Sequence, residues 1–174
     1  MVFVGAHDHT LDDKGRLVLP ARFRSHFAES AYLLPNAGCI SLWEPERFEK
    51  MIGRLGEQVR AGEIDPLSPK KVAHASSIVR PDAQGRITIP ERLRTFASLE
   101  HDVMVCGAVE SLEIWNAETW AAMSSDLDQS VADLFLRTGI RAPFTCSSRP
   151  CRSGSRATSD TTHRTQETTS THEI

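Results

Sequence analysis

Apolar residues arrive along this chain in short runs cut by proline and glycine, with one longer stripe at helical spacing. The stretch "HTLDDKGRLVLP", from His9 to Pro20, predicts a strand, a turn and a second strand. Gly15 follows the polar Asp12, Asp13 and Lys14 and can supply the positive φ of a tight turn, while Pro20 ends the strand. Proline suits the first position of a helix, so "PARFRSHFA" predicts a short helix with Phe23 and Phe27 inward and Arg22 and Arg24 outward. A second hairpin is expected in "YLLPNAGCISLW". Beyond Pro45, the residues Phe48, Met51, Ile52, Leu55 and Val59 recur at helical spacing and predict a helix whose stripe joins the core.

The same plan is then written again. Ser68 is read as the N-cap, and Pro69 as the first turn, of a short connecting helix. After it, "SSIVRPDAQGRITIPERLRTFA" gives strand, turn, strand and helix, and "DVMVCGAVESLEIW" gives a hairpin. From Asn116, "NAETWAAMSSDLDQSVADLF" reads as one helix. The segments "DDKGRLVLPARFR" from Asp12 and "DAQGRITIPERLR" from Asp82 share six of thirteen positions. Those are Asp12 and Asp82, Gly15 and Gly85, Arg16 and Arg86, Pro20 and Pro90, Arg22 and Arg92, Arg24 and Arg94. Trp43 matches Trp115 at an offset of 72 instead of 70, so two residues are gained after the motif helix, where a loop tolerates them. An internal repeat means that one supersecondary unit is used twice.

Composition is that of an ordinary globular chain, with 40% apolar and 25% charged residues among 174. No signal-peptide pattern and no membrane-length apolar run is seen, so a soluble intracellular protein is expected. Cys39 and Cys106 fall in apolar strand-like runs and are expected to be buried; Cys146 and Cys151 lack metal or disulfide spacing. From about Arg137 the chain turns to Ser, Thr and Arg with little to bury, and 138–174 is expected to be disordered. The net charge of −3 argues against a nucleic-acid partner, but its distribution argues for one. Eight of the fourteen Lys and Arg in residues 1–135 crowd into two windows, Lys14, Arg16, Arg22 and Arg24, then Arg80, Arg86, Arg92 and Arg94. Local potential, more than total charge, steers a polyanion. No G-x-S-x-G, H-E-x-x-H or P-loop appears, and the repeated charges are arginines, which suit anion binding better than proton transfer. His7 and His9 have no third ligand at a recognisable spacing. An enzyme is therefore not expected, nor a metal, nor any other cofactor.

The pattern D-x-x-G-R, then an apolar triplet, Pro and an Arg-bearing helix, resembles the SpoVT/AbrB family of DNA-binding domains. The tandem signatures at Asp12 and Arg16 and at Asp82 and Arg86, with "SLW" and "EIW" downstream, resemble the MraZ family over roughly residues 3–135. The resemblance implies an α+β fold of two swapped-hairpin β-barrel repeats forming a pseudo-dimer within one chain, with flanking helices. On that reading the copies occupy 5–51 and 76–123, with a helical linker at 52–75, a C-terminal helix at 124–137 and the tail at 138–174. It further implies a bacterial, cytoplasmic, nucleoid-associated regulator whose chains form a homo-oligomeric ring. Such a regulator binds promoter direct repeats upstream of a division and cell wall gene cluster that includes its own gene. The tail departs from the family pattern.

The residues themselves suggest the chemistry. Arg16 and Arg86 follow the turn glycine directly and are read as standing at an exposed hairpin tip, able to meet phosphate or a guanine edge. Asp12 and Asp82 are placed to accept a turn amide or hold the arginine fork, in support of the contact. Lys14, Arg22, Arg24, Arg92 and Arg94 would position phosphates without reading sequence. Gly15 and Gly85 serve the backbone. The rival readings are an antitoxin-like regulator and a structural β-barrel oligomer without sequence-specific binding.

Overall fold

A computed structural model describes residues 2–139 of the chain. The expected disorder of 138–174 lies from 140 onward outside the described residues, as do Cys146 and Cys151. In chain order the elements are β1 (Ala6–Thr10), β2 (Arg16–Val18), a 3-10 helix (Ala21–Phe27), β3 (Ala31–Asn36), β4 (Cys39–Trp43), α1 (Pro45–Arg60) and α2 (Ser68–Ala75). The second half gives β5 (Ser77–Val79), β6 (Arg86–Thr88), α3 (Glu91–Phe96), β7 (Asp102–Ala108), β8 (Ser111–Asn116), α4 (Ala117–Ser124) and α5 (Leu127–Thr138). By compactness the chain divides after Ala132, and the second unit is described only through the end of α5 and Gly139. No described helix is long and apolar enough to cross a membrane.

The repeat in the sequence becomes a pseudo-two-fold in the fold. Six strands form one antiparallel sheet in the order β1-β7-β8-β4-β3-β5, which reads the same from either end once matching strands of the two copies are exchanged. Each copy lends its first strand to the other copy's hairpin: β1 pairs with β7, and β5 with β3. At the centre β4 meets β8 with Ser41 opposite Glu113, and in the separate β2/β6 ribbon Leu17 lies opposite Ile87. Both are pairs of matching residues, so the pseudo-axis passes through each. This is the α+β swapped-hairpin arrangement that the tandem signature implies.

Alternation along the strands sets what lies inside. Leu33, Ile40, Leu42, Val105, Leu112 and Ile114 point from the sheet toward Leu17, Leu19, Ile87 and Ile89 of the ribbon region, and Phe3, Phe23, Phe27 and Leu93 complete this core. On the sheet's other face, α1 sets Phe48 in a stack on Tyr32 at 4.1 Å, and α4 brings Trp120 to Trp115 at 6.1 Å. Cys39 and Cys106 are buried beside Trp115, where loss of water pushes both thiols up to about 12. Both are free thiols, buried as their apolar runs predict.

Four elements differ from the sequence reading. Between β1 and β2 the expected hairpin is pinched only at its turn, by the Leu11 and Leu17 bridge; the strands then part because each pairs with a strand of the other copy, β1 with β7 and β2 with β6. Ser68 does not cap α2 but is its first residue, and the Asp65 carboxylate accepts the Leu67 amide instead. The helix from Asn116 is two helices: Asn116 does cap α4, accepting from the Thr119 amide at 3.0 Å. The run Ser124, Ser125, Asp126 then offers the backbone competing side-chain partners, and Ser125 Oγ donates to the Ala122 carbonyl. Along α1 only Phe48 is buried, while Met51, Ile52, Leu55 and Val59 stay half-exposed. Helical spacing marks which side faces inward, not how far along the helix a surface exists to meet it. The two residues gained in the second copy fall in the loop 97–101 after α3, where Ser98 adopts φ 49°.

Candidate nucleic-acid interface

Each D-x-x-G-R segment folds into the same small machine. In the first copy the Gly15 amide donates to the Asp12 carbonyl at 2.8 Å, closing the turn, and Gly15 takes φ 68°. The Asp12 carboxylate then organises the residues after it: Oδ1 accepts the amides of Lys14 and Arg16, each at 2.9 Å, and Oδ2 accepts Arg16 Nε at 2.6 Å. The second copy repeats these bonds, with the Gln84 and Arg86 amides on Asp82 Oδ1 at 2.9 Å and Arg86 Nε on Oδ2 at 2.6 Å. Both roles considered for the aspartates are filled at once. The amide of the following arginine, and after it the guanidinium, hold the Asp12 and Asp82 carboxyls below the usual carboxylate range, although both side chains are exposed.

The two turns brace one another across the pseudo-axis. Leu19 donates its amide to the Gly85 carbonyl at 3.0 Å, and Ile89 donates to Gly15 at 2.9 Å. The motif helices cross over as well. Arg94 donates through Nε to the Ile89 carbonyl and lies over Gly15, where a β-carbon would stand 2.6 Å from Arg94 Nε. Arg24 does the same from the Leu19 carbonyl over Gly85, at 2.7 Å from its Cδ. The glycines thus serve a positive φ and a close side-chain crossing together.

Between the turns runs the β2/β6 ribbon. Leu17 and Ile87 are fully buried beneath it, so its outer face carries Arg16, Val18, Arg86 and Thr88, with Arg16 opposite Thr88 and Val18 opposite Arg86. The two arginines therefore sit diagonally on one small face. They are not at the turn apex, as the sequence reading has it: their side chains are 31% and 30% exposed, and Asp13 and Lys14, or Ala83 and Gln84, form the apex. A groove of about 420 Å³ opens beside the ribbon, lined by both arginines with Asp12, Val18 and His101.

The four remaining arginines are less available than an outward helix face suggests. Besides the two that cross the glycines, Arg22 donates to the Val4 carbonyl and contacts His7, its guanidinium 4.4 Å from the Phe23 ring centre. Arg92 donates to the Ala75 carbonyl at 2.6 Å. Each is tied on one side, leaving other guanidinium edges directed elsewhere. Sequence reasoning missed Val18, Thr88 and His101 as neighbours of the arginines, and Gln84 as a partner of Arg86. The signal for the first two was present in the period of two along "GRLVLP" and "GRITIP". Among the described residues, no three His, Cys, Asp or Glu side chains come together as a metal would require.

Comparison with known proteins gives the same outline. A family model described as "MraZ protein, putative antitoxin-like" matches residues 2–62 and 73–138. A protein named transcriptional regulator MraZ from Kineococcus radiotolerans is 36% identical over 141 residues, covering 76% of this chain and 93% of that protein. Proteins of the same name from Thermobifida fusca and Kocuria rhizophila are each 37% identical, covering 76% and 77% of this chain and 94% and 100% of their own. The family match begins afresh in the second half of the chain, as the repeat does.

Proposed function

The chain belongs to the MraZ family, and on that premise we propose that it is a transcriptional regulator whose β2/β6 ribbon binds double-stranded DNA at promoter direct repeats. One observation carries the reading. Two arginines, each held by an aspartate, project from the outer face of a two-stranded antiparallel ribbon whose other face is sealed in the core. The major groove admits such a ribbon, and an arginine there reads a guanine edge through two parallel hydrogen bonds.

In this reading Arg16 and Arg86 read bases, and Lys14 at the open turn apex contacts phosphate. Arg22, Arg24, Arg92 and Arg94 brace the motif with one edge and add phosphate contacts with another. Segments 5–51 and 76–123 act as the two DNA-binding copies, joined by 52–75. The promoter is that of a division and cell wall gene cluster including the protein's own gene, and the working form is a homo-oligomeric ring on the nucleoid, in the cytoplasm. No chemistry is catalysed. A mobility-shift titration on the DNA just upstream of the gene tests the reading. Affinity should exceed that for random duplex of equal length and fall with salt, with a log–log slope of about −0.9 per phosphate contacted. Equal affinity for both duplexes would remove the proposal.

A further inference from the structure

A pseudo-two-fold ribbon poses a problem for direct repeats. Two arginines related by a two-fold would read the same bases on opposite strands, which is a palindrome, whereas a direct repeat has a direction. Something on the ribbon must break the symmetry. The aspartate bonds do not, since they are the same in both copies to within a tenth of an ångström.

The break lies one residue before each turn glycine. Gln84 Oε1 accepts from Arg86 Nη2 at 2.8 Å. Together with Asp82 on Nε, this fixes the Arg86 guanidinium through two side-chain acceptors on neighbouring nitrogens. At the matching position the first copy has Lys14, whose ammonium has no acceptor to offer and repels a guanidinium. Arg16 is held by Asp12 through Nε alone. The Arg86 fork is therefore held at two nitrogens, and the Arg16 fork at one. A fork already in its binding geometry loses less freedom per hydrogen bond and discriminates bases more sharply.

We propose that Gln84 is a specificity-determining positioning residue: it pre-orients Arg86 as the dominant base reader, leaves Arg16 adaptable beside Lys14, and so gives each chain a direction on its DNA repeat. This rests on the proposed DNA-binding reading and assigns unequal tasks to two arginines that the repeat makes look alike. Gln84 is exposed and accepts its bond from a neighbour two residues away, so its replacement leaves the core untouched.

The experiment is a binding-site selection from randomised duplex, with affinities on the selected repeat and on random duplex, for wild type, Gln84→Ala and Lys14→Gln. Wild type should select a directional motif with one sharply preferred guanine position. Gln84→Ala should blur that position and lower the repeat-to-random affinity ratio about three- to tenfold, the worth of one hydrogen bond, with random binding unchanged. Lys14→Gln should weaken binding to all DNA by one lost phosphate contact, yet sharpen a second guanine position and make the motif more nearly palindromic. An unaltered motif in both variants, with unchanged melting temperatures, would overturn the assignment of Gln84 while leaving DNA binding intact. A wild type that selects no motif would instead defeat the underlying reading and this inference with it.

Discussion

Asp12 and Asp82 would be repelled by phosphate, yet the ribbon arginines depend on them. Each carboxylate gathers two backbone amides and one guanidinium nitrogen, and these partners hold it below the usual carboxylate range. Because the folded value is depressed, the ordering that the carboxylates confer is complete above the unfolded carboxylate pKa, near ~4, and is lost only as pH falls through the lower folded value. The turn amides of Lys14, Arg16, Gln84 and Arg86 should therefore keep their chemical shifts through neutral and mildly acid pH and move together below that range. Movement near neutral pH would show that other groups hold the turns. Gly15 makes a second residue-scale claim. Its alanine variant should cost about 1–2 kcal/mol from the left-handed backbone, plus the displacement of Arg94 lying over it. Denaturant melts of Gly15→Ala, Arg94→Ala and the double variant separate the parts: the alanine should cost less once Arg94 is gone. Equal costs in both backgrounds would mean that the crossing is idle.

At the scale of elements, the ribbon is short, and its rigidity comes from below. Leu17 and Ile87 meet on the pseudo-axis with no exposed surface, so Leu17→Ala should lower stability by about 2–5 kcal/mol, read as the shift in a denaturant midpoint at unchanged slope. A loss below about 1 kcal/mol would show that the ribbon floats on the core. The elements also show what the sequence made legible. Strand β2 and its turn were readable from Gly15 and the apolar run, and the matching β6 from the repeat. The partnership between β2 and β6 was not readable from either segment alone, because pairing across copies is decided by tertiary competition and not by local pattern. The same limit explains the tied arginines. Arg24 looks like a solvent-facing helix residue in sequence, and only the fold shows the Leu19 carbonyl and Gly85 beneath it. Identity at both Arg24 and Arg94 was the available hint, since a solvated face has no reason to repeat. The break at Ser125 was signalled by adjacent polar residues and outweighed, in the sequence reading, by the helical run on either side.

For the whole molecule, one chain offers a single ribbon, and the phosphate contribution that dominates affinity grows with the number of contacts. An acidic chain with two small basic windows should bind weakly alone, and a ring of chains would multiply the contacts. If neighbouring chains engage successive direct repeats, inserting about five base pairs between repeats turns one site to the far side of the duplex, and about ten restores it. Mobility shifts should show affinity falling with the first insertion and recovering at least partly with the second. Indifference to both would mean that chains bind independently. The central claim, that the ribbon arginines read bases while the surrounding cations hold phosphate, is tested most directly by one ratio. It is the affinity for the upstream repeat over that for random duplex, at a single salt concentration, in wild type, Arg16→Ala, Arg86→Ala and Lys14→Ala. The account predicts that each arginine variant loses about 1–3 kcal/mol on the repeat and little on random DNA, whereas Lys14→Ala weakens both alike. Equal losses on both duplexes for all three variants would contradict it, leaving the ribbon as a phosphate contact alone.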